Sequence, residues 1–181
     1  MKHCPNCHSM ALKPCKIEYG LPGVSCTQCH GVLINLLSYR QWAESKVKEN
    51  PQPITPLDVI VDNNSKALQC PKCQHLMNKF RIATEVNNQV DVCLHCDEAW
   101  LDEGEWVLLK HLELQNKLAT ITTEPWQIRV KNEQAHQAVE KSLIERVGEE
   151  SYHKAAEFGS WLKLHPQKNV LLRIIREKSE N

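Results

Sequence analysis

The sequence predicts a small metal-bound α+β protein: two copies of one short module, each a three-stranded antiparallel β unit plus a following helix, and then a C-terminal α-helical region. Three observations predict it. The pattern Cys-x-x-Cys occurs four times. The chain repeats itself, with the opening pairs of the two copies 66 positions apart and the closing pairs 67. Beyond Trp126 the apolar residues recur at helical spacing. The expected divisions are 1–49 for the first module and its helix, 50–67 for a Pro-rich linker, 68–118 for the second module and its helix, and 119–181 for a linker and the C-terminal helices.

Eighteen residues separate Cys4-Pro5-Asn6-Cys7 from Cys26-Thr27-Gln28-Cys29, and nineteen separate Cys70-Pro71-Lys72-Cys73 from Cys93-Leu94-His95-Cys96. That spacing reads as a four-cysteine zinc site. Each short turn presents two sulfurs to one metal, and the segment between is long enough for a hairpin that completes a tetrahedron. The expected ligands are Cys4, Cys7, Cys26 and Cys29 for one Zn²⁺, and Cys70, Cys73, Cys93 and Cys96 for a second. Four thiolates leave no position for water, so both ions are expected to be structural. Iron is the competing metal, since the same tetrahedron suits it.

In the first module a strand is expected around Met10–Tyr19, a turn at Gly20-Leu21-Pro22-Gly23, and a third strand at Val32-Leu33-Ile34. The helix that follows has two candidate starts, Asn35 and Ser38, the latter with Gln41 as a capping-box pair. Tyr39, Trp42, Ala43 and Val47 share one face of it. The prolines at 51, 53 and 56 favour an extended linker, and Leu57–Val61 is an apolar run able to pair with a sheet edge. In the second module Phe80, Ile82 and Thr84 alternate with Lys79, Arg81 and Ala83, Asn87-Asn88 marks a turn, and Val90 and Val92 return. Trp100 is expected to cover the hairpin. Asp102 is the expected N-cap of a helix running to about Leu118, with Glu105 at its third position. The tail shows three amphipathic stripes, suited to a small bundle or to an arm that folds on a partner.

After the closing pair the second copy reads Ala99-Trp100-Leu101-Asp102 and then Gly104-Glu105. With Cys-Pro-x-Cys opening both copies, the chain resembles a bacterial TFIIB-type zinc-ribbon family in tandem, the second copy being the closer match. Gln74, Asp97 and Glu98 stand where that family usually has glycine, and the first copy has Leu33 and Asn35 for its Trp and Asp. The resemblance covers about half of the chain. It implies the ribbon fold and zinc, and for most members no reaction.

Units of about forty residues rarely hold together on a hydrophobic core alone. A structural zinc contributes ~10–16 kcal/mol of apparent folding free energy, more than so small a core supplies. Met1-Lys2-His3 leads into Cys4 without an apolar h-region, so a cytoplasmic location with reduced thiols is expected. The 22 basic and 22 acidic side chains balance, and no segment is strongly basic, which disfavours nucleic acid as the main partner. Five histidines, His3, His8, His30, His75 and His95, flank complete cysteine sets and are expected to stay outside the coordination. Cys15 is the odd thiol, read as a small hairpin side chain or as a redox sensor. Asp97, Glu98, Asp102, Glu103 and Glu105 form an acidic cluster suited to a basic protein surface. The sequence therefore points to a non-enzymatic docking or regulatory factor with a protein partner and no membrane, and the resemblance implies RNA polymerase or another assembly as that partner. Direct nucleic-acid binding and thiol-based sensing are the alternatives.

Overall fold

In the computed structural model, residues 3–10, 12–46 and 64–180 are described. The chain divides into two compact units, Met1–Asn132 and Glu133–Asn181. The Pro-rich stretch and the apolar run at Leu57–Val61 lie outside the described residues, as does Val47.

The first unit holds both repeats. Strands β1 (Leu12–Glu18), β2 (Leu21–Cys26) and β3 (Val32–Asn35) come from the first, followed by helix α1 (Leu36–Lys46). Strands β4 (Asn78–Arg81), β5 (Gln89–Cys93) and β6 (Glu98–Leu101) come from the second, followed by α2 (Glu105–His111). They do not form two separate sheets. The order β1-β2-β3-β6-β5-β4 makes one six-stranded antiparallel sheet, joined in the middle where the third strands of the two repeats pair. In that pair Val32 faces Leu101, Leu33 faces Trp100, Ile34 faces Ala99 and Asn35 faces Glu98. Shifting by the repeat length exchanges the first and third of these pairs and returns the second to itself. A local pseudo-two-fold axis therefore passes between Leu33 and Trp100.

Because side chains alternate along a strand, the central strands feed two cores. Ile34, Val90, Val92, Ala99 and Leu101 join the apolar sides of the helices. Leu33 and Trp100 point to the opposite face, among the cysteines of both repeats. Trp100 therefore lies between the two cysteine groups instead of covering its own hairpin alone.

The helical side is closed across the axis. Trp42 of α1 lies 5.6 Å from Trp106 of α2, centroid to centroid. The buried Tyr39 hydroxyl donates to Gln115 O (2.7 Å) and accepts from Leu118 N (2.8 Å). Asn35 caps α1, its Oδ1 accepting from Ser38 N at 3.0 Å. That decides between the two expected starts.

Three features of the second repeat differ from the sequence reading. Asp102 does not cap α2 with its side chain; the helix begins at Glu105 after Gly104 in the left-handed region (φ 82°), and Glu105 Oε2 accepts the Asp102 N–H at 2.9 Å. The helix ends at His111, shortly before Glu113 turns left-handed (φ 56°). Leu118–Ile121 then forms α3, whose two end residues are fully buried. β4 also stops at Arg81, short of Thr84. From the first turns of α4 (Glu124–Val147), the Gln127 side-chain amide accepts from Arg81 N and donates to Arg81 O, both at 3.0 Å.

The second unit contains the rest of α4, then α5 (Glu149–Leu164) and α6 (Lys168–Ser179). Leu162 is its only buried side chain among the described residues. The helices form, but without a packed bundle core. No helix among the described residues is long and apolar enough to cross a membrane.

Candidate metal centres

Each Cys-x-x-Cys segment folds as a tight knuckle, and three show the same backbone bonds. His8 N, His30 N and Gln74 N donate to the carbonyls of Cys4, Cys26 and Cys70 at 2.8–3.0 Å. Cys4 N, Cys26 N and Cys70 N donate to Ser9 O, Gly31 O and His75 O at 2.8–2.9 Å. The residue just after the second cysteine is left-handed in all four knuckles: His8 (φ 59°), His30 (56°), Gln74 (65°) and Asp97 (55°). None is glycine, the residue for which that region is unstrained.

The hairpins bring the knuckles together in pairs. Cys4, Cys7, Cys26 and Cys29 form one group and Cys70, Cys73, Cys93 and Cys96 the other, with ligand atoms within 4.8 Å of one another in each. Sulfur separations of 3.4 Å for Cys4–Cys29 and 3.5 Å for Cys7–Cys26 and Cys73–Cys93 exceed a disulfide bond, and all nine cysteines are unbridged. Such separations are close to the edge, about 3.8 Å, of a tetrahedron with metal–sulfur bonds of about 2.3 Å. Each group can therefore hold one metal ion, and its donor set is complete.

The electrostatics fit a cation. Burial pushes the Cys4 thiol up to about 11 and also raises Cys29 and Cys70. The Cys73 side chain, together with burial, raises Cys96 to about 12. Cys26 falls to about 6: burial opposes this, but the backbone N–H groups of Cys29 and Gln28 outweigh it. Cys73 falls to about 6 chiefly through the His75 N–H. Cys26 and Cys73 thus offer each group a ready thiolate, and a dication would favour ionisation of the raised thiols Cys4, Cys29, Cys70 and Cys96.

The five flanking histidines are exposed and belong to neither group. His75 and His95 stack at 4.7 Å. Cys15 sits in β1 opposite Gly23, apart from both groups.

Most of the acidic cluster is engaged within the protein. Asp97 takes a two-pronged pair from Arg40 at 2.7 and 3.0 Å. Glu98 is buried against Lys72 and the Asn35 amide. Asp102 Oδ1 accepts from Trp100 Nε1 (2.9 Å) and from Asn6 Nδ2 in the first knuckle (3.1 Å). Glu105 is buried and Glu103 alone stays exposed. The cluster is therefore not a free docking face, because cations pair with Asp97 and Glu98 and neutral donors hold Asp102 and Glu105.

Asn6 and Lys72 occupy equivalent knuckle positions; Asn6 reaches across to Asp102 of the other repeat, whereas Lys72 pairs with Glu98 of its own. These ties were not read from the sequence. The left-handed positions carried a signal there: each follows a Cys-x-x-Cys, where the ribbon pattern has glycine. No family model matches this chain, and no curated protein or solved structure is significantly similar to it.

Proposed function

We propose that the chain is a non-enzymatic, cytoplasmic zinc protein of tandem ribbon type, in which two structural Zn²⁺ ions rigidify a docking module for a protein partner of the transcription machinery. The observation that carries this reading is the pair of complete four-cysteine groups facing a single sheet. A closed four-sulfur set holds a fold and leaves no site for a substrate. With Asp97, Glu98 and Asp102 engaged internally, the contact surface is assigned to the second repeat's metal end. There Leu76 and Leu94 are 66% and 67% exposed beside the stacked His75 and His95. Exposed leucines on a rigid knuckle suit an apolar pocket on the partner.

Elemental analysis of the purified chain should find two zinc ions per molecule. Purified RNA polymerase, free of nucleic acid, should retain the wild-type chain and lose Leu76→Asp/Leu94→Asp, while that variant keeps both ions. Failure of the wild-type chain to bind polymerase sinks the transcription assignment. Salt-sensitive binding to DNA or RNA alone would favour the nucleic-acid reading instead.

A further inference from the structure

The unit Glu133–Asn181 is almost wholly helical and buries only Leu162 among its described residues. Ile144 and Leu171 are half-buried. Val139, Phe158, Trp161, Leu164, Val170 and Ile174 are all exposed, Leu164 by 86%. Helices of twelve to twenty-four residues gain most of their stability from packing an apolar face. Among the described residues of this unit that packing is largely missing. The apolar positions form organised stripes: Val139, Leu143 and Val147 recur every fourth residue on α4, and Val170, Leu171, Ile174 and Ile175 mark one side of α6.

Charge says what covers them. Residues 133–160 carry three basic and six acidic side chains, net −3, whereas residues 161–181 carry five basic and two acidic, net +3. The ion pairs seen within the unit, such as Lys154–Glu150 at 2.6 Å and Arg176–Glu180 at 3.1 Å, run four residues along single helices. They therefore do not join the acidic half to the basic half. A two-fold interface is self-complementary, so whatever one copy places on the other is returned in kind. Two copies set antiparallel lay the −3 half of each against the +3 half of the other and close the apolar stripes between them. An anionic membrane or a nucleic acid would meet the acidic half at a cost. From this we infer that the C-terminal helices are a self-association arm, and that a second copy of the same arm covers the apolar side. The docking reading above is not needed for this inference. If both hold, each assembly presents two metal-bound modules to its partner, with the gain in avidity that linkage brings.

The test is sedimentation equilibrium of the full-length, zinc-loaded chain, with circular dichroism as the check on helicity. The wild-type chain should be a dimer at micromolar concentration. Phe158→Asp and Ile174→Asp should each shift it to monomer. Arg173→Glu combined with Arg176→Glu, at exposed positions whose replacement spares the apolar side, should weaken the dimer about tenfold, and added salt should weaken the wild-type dimer in the same direction. A monomeric wild-type chain overturns the inference, whether or not it binds phosphatidylserine vesicles. So does a dimer that survives both aspartate variants with its helices intact. Should an aspartate variant lose helix as well, the charge-reversed chain decides, and a dimer of unchanged strength there overturns the inference.

Discussion

Gly31 backs directly onto Trp100: a Cβ built at Gly31 would lie 2.3 Å from Cζ2 of the indole and 2.8 Å from Cε2. The glycine belongs to the second knuckle of the first repeat and the tryptophan to the third strand of the second. The contact joins the two repeats and leaves no room for a side chain at Gly31.

Gly31→Ala should therefore destabilise the first unit although the change is one methyl group. The indole is fully buried and tied to Asp102, so it cannot move away cheaply. Overpacking of this kind costs about 1–3 kcal/mol, measurable as a lower urea midpoint. Trp100→Leu in the same chain should make Gly31→Ala nearly silent, because the clashing ring is gone.

The two cysteine groups should load metal cooperatively. Cys4, Cys26, Cys70 and Cys93 share one buried cluster with Trp100, and Asn6 of the first knuckle is bonded to Asp102 of the second repeat. Cys93→Ser should thus weaken metal binding at the intact first group as well, by about tenfold, a typical coupling between linked sites. Chelator competition reads the effect. An unchanged affinity at the first group would show the centres to be independent.

Gln74→Gly should stabilise the protein by up to about 1 kcal/mol, since a left-handed residue other than glycine carries a steric penalty of that order. Thermal unfolding of the metal-loaded chain measures it. Asp97→Gly should gain less, because it relieves the same strain but gives up the Arg40 pair.

Burial lifts the Glu105 carboxyl from its ordinary 4.5 to about 7, with the Asp102 and Asp91 charges adding to the effect and the Asp102 N–H opposing it. The folded state therefore holds a proton that the unfolded state has already lost between these values. Stability attributable to this group is present below about pH 4.5 and is lost as pH rises through about 7, by something of order 3 kcal/mol. Glu105→Gln should flatten that decline in unfolding experiments between pH 5 and pH 8, expected at about the scale just given.

The cysteine groups were legible because ligand chemistry writes itself locally: a Cys-x-x-Cys turn declares its geometry in four residues. The strands within each repeat followed from alternation and from the hairpin length between pairs, although β2 begins at Leu21, inside the turn expected at residues 20–23. The joint between repeats was not legible. Nothing local to Val32–Asn35 says that its free edge will meet Glu98–Leu101, and the acids read as surface groups find Arg40, Lys72 and Asn6 at separations of 57, 26 and 96 residues. Helix periodicity announced α4 to α6 correctly but could not say whether their apolar sides meet inside one copy. The end of α2 was missed because the left-handed turn at Glu113 uses a residue that carries no breaker signal.

The amide of Gln127 has one consequence beyond shortening β4. By taking both the N–H and the C=O of Arg81, it leaves an incoming strand no backbone group to grip at that rim residue. The opposite rim, β1, is interrupted by Pro14, which has no N–H to give. A sheet six strands wide is thus discouraged from adding a further strand, and so from growing toward cross-β fibrils, at one position on each flank.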